Sequence, residues 1–249
     1  MNPTAAVLYG KGIFTTVAIR DGQPFLWEKH WRRLLDNAKT VSIDLSAYSE
    51  KETLDQLTTS IENDGIVNGR ARLTFLDESP SPLWPTQSTV KTSLHIMTGD
   101  LRAVSEEFRL TVSTYTVNSR SPLAGVKSCN YLENLLALAE AQSRDFHEAV
   151  RINERGGITG GCMSNIFWLN DGMLYTPSLS TGCLPGTTRE FVLENVVCRE
   201  VEVGIDELEK ADFIFLTSAG LGITQVAKYE GKRIETIDHP VLNLRSTTI

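Results

Sequence analysis

Two Asp-Gly pairs, Asp21-Gly22 and Asp171-Gly172, constrain this chain more than any other feature. Each sits between runs of strand-forming residues. An Asp-Gly pair readily adopts the positive φ angles of a two-residue turn, whose twist matches that of the strands it joins. "GIFTTVAIRDGQPFLWE" therefore reads as one antiparallel hairpin and "SNIFWLNDGMLYTP" as another. Between them, "NSRSPLAG" is the strongest break in the chain, a polar stretch with Pro and Gly. The pattern predicts two α/β lobes. The first is a smaller N-terminal lobe over 1–116, the second a larger C-terminal lobe over 126–249, and 117–125 is the linker.

Residues from about Glu28 to Val41 fit a helix, with Trp31, Leu34, Leu35 and Ala38 spaced for one apolar face. A second helix is expected around Ser49–Asn63. "RARLTFL" and "TSLHIMTG" read as strands, separated by the Pro-rich "DESPSPLWPTQS", which cannot be a strand interior. "FRLTVSTYTV" reads as a further strand. After the linker, "VKSCNYLENLLALAEAQ" ends in a helix pattern, "EAVRIN" and "DFIFLTS" read as strands, and another helix starts near Thr187.

Composition narrows the function. The chain has 249 residues, enough for a sizeable core, and a net charge of −7 with no basic stripe, which argues against nucleic acid as a partner. It contains no apolar run long enough to span a bilayer, and its first residues lack the apolar core of a signal peptide. Cys129, Cys162, Cys183 and Cys198 show neither CxxC nor His/Cys metal spacing, so free thiols, no metal and a cytoplasmic location are expected.

Three segments could hold a phosphate. "LPGTTRE" puts Gly186, Thr187 and Thr188 at a helix start, where N–H groups, hydroxyls and the positive end of the dipole converge. "LTSAGLG" ends a strand with Thr217 and Ser218. Arg33, on the first long helix, could add a two-pronged contact. Lys127 stands alone behind the Pro/Gly loop. Taken singly, each has an ordinary reading: a helix cap, a solvated arginine, a surface lysine.

Together the segments say more. In order, "HWRRL", "VKSCN", "SNIF", "YTPSLSTGCLPGTTRE" and "TSAG" resemble the class IV family of pyridoxal-phosphate (PLP) enzymes. That family includes branched-chain and D-amino-acid aminotransferases and aminodeoxychorismate lyase. The resemblance implies the family's two-lobed fold, PLP as cofactor and a homodimer. It also implies that Lys127 forms a Schiff base with PLP and returns as the base at the substrate α-carbon. Arg33 matches the arginine on the cofactor phosphate. Gly186, Thr187 and Thr188 match the phosphate turn, Thr217 and Ser218 a second loop near phosphate and substrate carboxylate. Asn165 of "SNIF" joins the cofactor-binding set.

Three departures stand out. Gly160 occupies the position, five residues before Asn165, where the family usually has a glutamate facing the pyridine nitrogen. Glu148 and Glu154 are near in sequence but do not match it. "YGKG" has Lys11 where the family usually has aspartate, and "ARLTFLDESPSPLWP" lacks the usual Arg-Gly after its strand. Two reactions are expected: transamination between an amino acid and a 2-oxo acid, or lysis of an aminodeoxychorismate-like substrate to pyruvate and 4-aminobenzoate, a step of folate biosynthesis. The compact length and Asn130, three residues after Lys127, suit lyases and D-amino-acid enzymes better than branched-chain ones. A relic that binds without turnover is the third reading, motivated by Gly160.

Overall fold

The computed structural model describes residues 3–81, 91–101, 103–235 and 239–244. Most of the Pro-rich loop after the first lobe's third strand falls on 82–90 and lies outside them. The chain forms two compact units. One comprises Met1–Leu101 with Val126–Tyr131, the other Arg102–Gly125 with Leu132–Ile249.

In the first unit, α1 is Ala5–Tyr9, β1 Gly12–Arg20, β2 Gln23–Pro24, α2 Trp27–Val41, α3 Glu50–Asn63, β3 Gly69–Asp77 and β4 Thr92–Asp100. The strands form one antiparallel sheet in the order β2-β1-β3-β4. Asp21 and Gly22 turn the first hairpin at φ 46° and 72°, as their residue types dictate. Ser49 caps α3 through a reciprocal capping box with Glu52. Ile13, Val17 and Ile19 of β1 join Ala71, Leu73 and Phe75 of β3 on one face of the sheet. They pack with Trp31 and Leu34 of α2 and Leu57 and Ile61 of α3 in a single core. Thr15 lies on that same face and is fully buried.

The helix pattern that ends "VKSCNYLENLLALAEAQ" does not reach back to Lys127. The helix starts at Leu132, and the segment 126–131 runs extended along β1. Phe14 N–H donates to the Lys127 carbonyl at 2.9 Å, and Cys129 N–H donates to that of Gly12 at 2.8 Å. A Cβ at position 12 would lie 2.8 Å from Cys129 Sγ and 2.7 Å from a Leu76 methyl. Glycine at position 12 leaves room for these two side chains.

In the second unit, β5 is Arg109–Val112, α4 Leu132–Ser143, β6 Glu148–Ile152, β7 Ile158–Gly161, β8 Asn165–Asn170 and β9 Met173–Pro177. Then come α5 Thr187–Asn195, β10 Cys198–Val201, α6 Asp206–Glu209, β11 Phe213–Ser218, β12 Gly222–Gln225, β13 Lys228–Tyr229 and β14 Lys232–Arg233. They build two five-stranded sheets, β10-β9-β8-β11-β12 and β14-β13-β5-β6-β7. Leu110 and Val150 from one sheet meet Ile166, Trp168, Ile214 and Leu216 from the other in a shared core. A second core, with Phe167, Phe213 and Phe215, lies under Val192 of α5.

The expected strand "FRLTVSTYTV" is cut short at Val112. The Ser113 hydroxyl accepts the Tyr115 N–H at 3.1 Å and bends the chain, which pairs again only where Val117 meets Asn153.

Candidate active site

Lys127 brings its own surroundings from the first unit. Its Nζ donates to Tyr131 Oη at 3.3 Å and lies 4.6 Å from the Phe14 ring centroid and 4.9 Å from that of Tyr131. The two rings meet edge to face, with centroids 5.0 Å apart. The Arg72 guanidinium stacks on Phe14, 3.6 Å from the centroid, and its Nε donates to Thr74 Oγ1 at 3.1 Å. Burial lowers the Lys127 pKa to about 7, and the positive charges of Arg33 and Arg72 push it the same way. An ordinary lysine at pH 7 is neutral in roughly one molecule in a few thousand. At a pKa of about 7 the share is near one half, which is what a nucleophilic amine requires.

Arg33 is buried on α2 and donates to Thr15 Oγ1 at 2.8 Å. The same hydroxyl is 2.6 Å from Nδ1 of His30, one helical turn before Arg33. Desolvation holds the His30 pKa well below its usual range, and the charges of Arg33 and Lys127 add to the effect. Arg32, next in sequence, is exposed. Lys11 forms an ion pair at 2.8 Å with Asp77, a buried residue that ends β3. Two departures from the family pattern, the lysine in "YGKG" and the altered end of this strand, thus meet in one contact.

In the second unit the other expected residues gather around Asn165, at the start of β8. Asn165 is the direct cross-strand partner of Thr217 on β11. Its Nδ2 donates to the Leu184 carbonyl at 2.8 Å. A Cβ at Gly186 would fall 2.0 Å from its Oδ1, so glycine is required beside it. Gly186 is the N-cap of α5 and offers no side-chain cap, and Thr187 and Thr188 follow, both buried. The first N–H groups of a helix find no acceptor within it. Thr217 is 1% exposed, and its Oγ1 is buried without a hydrogen-bond partner among the described residues. An unsatisfied buried hydroxyl costs roughly 1–3 kcal/mol, so one kept in place points to a ligand that satisfies it. Ser218 is turned to its own loop, where its Oγ accepts the Leu221 N–H at 3.1 Å.

Neither glutamate near Gly160 in sequence is idle. The buried Glu148 carboxylate accepts the N–H groups of Ala149 at 3.1 Å, Cys162 at 2.9 Å and Met163 at 3.2 Å, which ties down the β7–β8 turn. Burial raises its pKa. Exposed Glu154 accepts the Ser119 N–H and hydroxyl, both at 2.8 Å, and those bonds draw its pKa down to about 2. Gly160 itself has φ 157°, and a Cβ there would lie 3.0 Å from the Ser164 carbonyl oxygen.

Sequence reasoning missed Thr15, His30, Phe14, Arg72 and Tyr131. His30 carried a signal in its three-residue spacing from Arg33. Phe14 and Thr15 fall on opposite faces of β1, so one strand serves both the amine and the arginine. Arg72 had no local signal, since only the β1–β3 pairing brings it to Phe14. Among the described residues no group of three His, Cys, Asp or Glu could hold a metal ion, and no helix is long and apolar enough to cross a membrane.

Known proteins resemble this chain along most of its length. It is 30% identical over 232 residues to aminodeoxychorismate lyase of Bacillus subtilis, covering 90% of this chain and 79% of that protein. It is 26% identical to D-alanine aminotransferase of Staphylococcus epidermidis, covering 92% and 83%. Its fold matches the branched-chain aminotransferase of the thermophilic archaeon Thermoproteus uzoniensis, solved with norvaline. That match has a TM-score of 0.89 at 24% identity over 98% of this chain and 86% of the other. The sequence pattern described as amino-transferase class IV matches residues 12–229, and the chain belongs to that family.

Proposed function

We propose that this chain is a PLP-dependent enzyme acting on an amino-acid substrate, with Lys127 as the residue that carries the cofactor. The observation that supports this best is the Lys127 amine, half-buried, with a pKa lowered to about 7. The Thr217 hydroxyl, without a hydrogen-bond partner among the described residues, and the start of α5 at Gly186, which supplies no side-chain cap, fit a phosphate, so the residues present suit the group. By the family resemblance, Arg33 in the first unit is a charged ligand for that phosphate, and Gly186, Thr187, Thr188 and Thr217 in the second unit are donors for it. Asn165 supports the phosphate turn through Leu184, and Ser218 shapes the loop after β11.

When bound, PLP supplies an electron-accepting ring that acidifies the hydrogen on the substrate α-carbon. The chain's own part is proton handling. With a pKa of about 7, Lys127 Nζ can both take a proton and give it back near neutral pH. Tyr131 Oη accepts from that amine and fixes its direction. Phe14 and Arg72 wall the amine side, the ring excluding water and the guanidinium adding positive charge.

The reaction we favour is transamination between an amino acid and a 2-oxo acid. A lyase reaction giving pyruvate and 4-aminobenzoate is the second reading, favoured by the 30% identity to aminodeoxychorismate lyase, and it would put the chain in folate biosynthesis. Product analysis separates them. Transamination consumes an amino donor and converts 2-oxoglutarate or pyruvate to its amino acid. The lyase releases pyruvate from aminodeoxychorismate with no amino acceptor. Neither product, with PLP bound, would leave a binding protein.

We also propose a cytoplasmic homodimer. Leu132, Leu135 and Leu136 expose more than half of their surface on one face of α4, which suits a second copy of the chain. A double Leu135→Asp/Leu136→Asp variant should sediment as a monomer, and an unchanged dimer would refute this face.

A further inference from the structure

The Arg33 guanidinium is buried, and a hydroxyl meets it. Thr15 Oγ1 accepts from Arg33 at 2.8 Å and sits 2.6 Å from His30 Nδ1. Thr15 is fully buried on the core face of β1, and His30 is 1% exposed, so neither side chain can move without disturbing the core. A hydroxyl has two acceptor sites and one proton. With Arg33 on one acceptor site, the short contact to an imidazole fixes the rotation about the Thr15 Cβ–Oγ bond. A hydroxyl also orients a guanidinium without cancelling its charge, whereas a carboxylate would neutralise part of it.

We propose that Thr15 and His30 are positioning residues that hold the Arg33 guanidinium in the orientation that takes the cofactor phosphate. This rests on the reading of Arg33 as a phosphate ligand. His30 stays neutral here because burial and the neighbouring cations oppose its protonation. With the Thr15 hydroxyl as donor in this contact, Nδ1 accepts and the imidazole carries its own proton on Nε2.

The test compares the affinities of PLP and pyridoxal, which differ only by the phosphate. In the wild type the ratio of the two measures what the phosphate contributes. Arg33→Ala should collapse that ratio. Thr15→Val, which keeps the shape and removes the hydroxyl, should weaken PLP about three- to tenfold and leave pyridoxal unchanged. Thr15→Ser should restore the ratio, and His30→Leu should lower it as Thr15→Val does. If Arg33→Ala lowers the ratio and Thr15→Val does not, the positioning role is wrong while the phosphate role of Arg33 stands. If Thr15→Val weakens both ligands equally, Thr15 is only a core residue and the proposal fails. If Arg33→Ala leaves the ratio intact, the phosphate reading fails and takes this proposal with it.

Discussion

Lys127 and Phe14 are joined twice. The Phe14 N–H donates to the Lys127 carbonyl at 2.9 Å, and the Lys127 amine lies 4.6 Å from the Phe14 ring centroid. The backbone bond sets where the lysine leaves the sheet, and the ring sets where its side chain ends. The amine is thereby held in an apolar place, beside other cations, where its charged form is disfavoured.

That environment has a pH signature. The neutral amine is the reactive form, and its share grows as pH rises through the lowered pKa of about 7. The rate of PLP attachment should rise about fivefold from pH 6 to 7, then less than about twofold from pH 7 to 8. Stopped-flow absorbance at fixed PLP measures it. A rate that keeps climbing about tenfold per pH unit to pH 10 would mean an ordinary lysine.

Thr217 should show opposite signs in two assays. Its hydroxyl is buried without a partner among the described residues, so Thr217→Val should raise the stability of the cofactor-free protein by about 1 kcal/mol. The same change should weaken PLP binding about three- to tenfold, because the phosphate loses a donor. Urea unfolding and a PLP titration measure the two. A variant with unchanged PLP affinity would remove Thr217 from the phosphate site.

Arg33 and Arg32 are neighbours in sequence with different surroundings. Arg33 is buried against Thr15, and Arg32 is exposed. A charge-assisted bond contributes about 1.5–3 kcal/mol, so Arg33→Ala should weaken PLP about tenfold or more. Arg32→Ala should change it by less than about twofold. Equal losses in the two variants would point to long-range charge rather than a ligand at Arg33.

Much of this was legible in the sequence, for physical reasons that differ by element. Both Asp-Gly hairpins form as expected, because each turn carries its own conformational preference. The helix of 27–41 forms as its apolar spacing predicts, with Trp31, Leu34 and Ala38 buried, but Leu35 of the expected face is exposed; Thr187 begins a helix where Gly186 precedes it. The position of Lys127 was less readable. Its segment pairs with β1, more than a hundred residues away, and no local pattern encodes that pairing. The Thr15–His30–Arg33 contact is hidden for the same reason, since it needs β1 and α2 packed together. Ser113 breaks a stretch of good strand formers through a single side-chain bond.

Gly160 tests how the site manages without a carboxylate at that position. Its φ of 157° and a Cβ contact of 3.0 Å with the Ser164 carbonyl oxygen both resist a side chain. Gly160→Glu should therefore lose about 1–3 kcal/mol of stability, with Gly160→Ala losing nearly as much. If Gly160→Glu still binds PLP, its α-proton exchange with solvent should be faster than that of the wild type, as a carboxylate favours the protonated ring. Exchange that is already fast in the wild type and unchanged in the variant would show that this position does not limit the chemistry.

Borohydride trapping tests most directly whether Lys127 bonds the cofactor. Protein mixed with PLP should develop a visible absorption band, and reduction should fix the label on one peptide. That peptide is expected to contain Lys127, and Lys127→Ala should form neither band nor label. A label on any other lysine, or a band that survives in Lys127→Ala, would contradict the account.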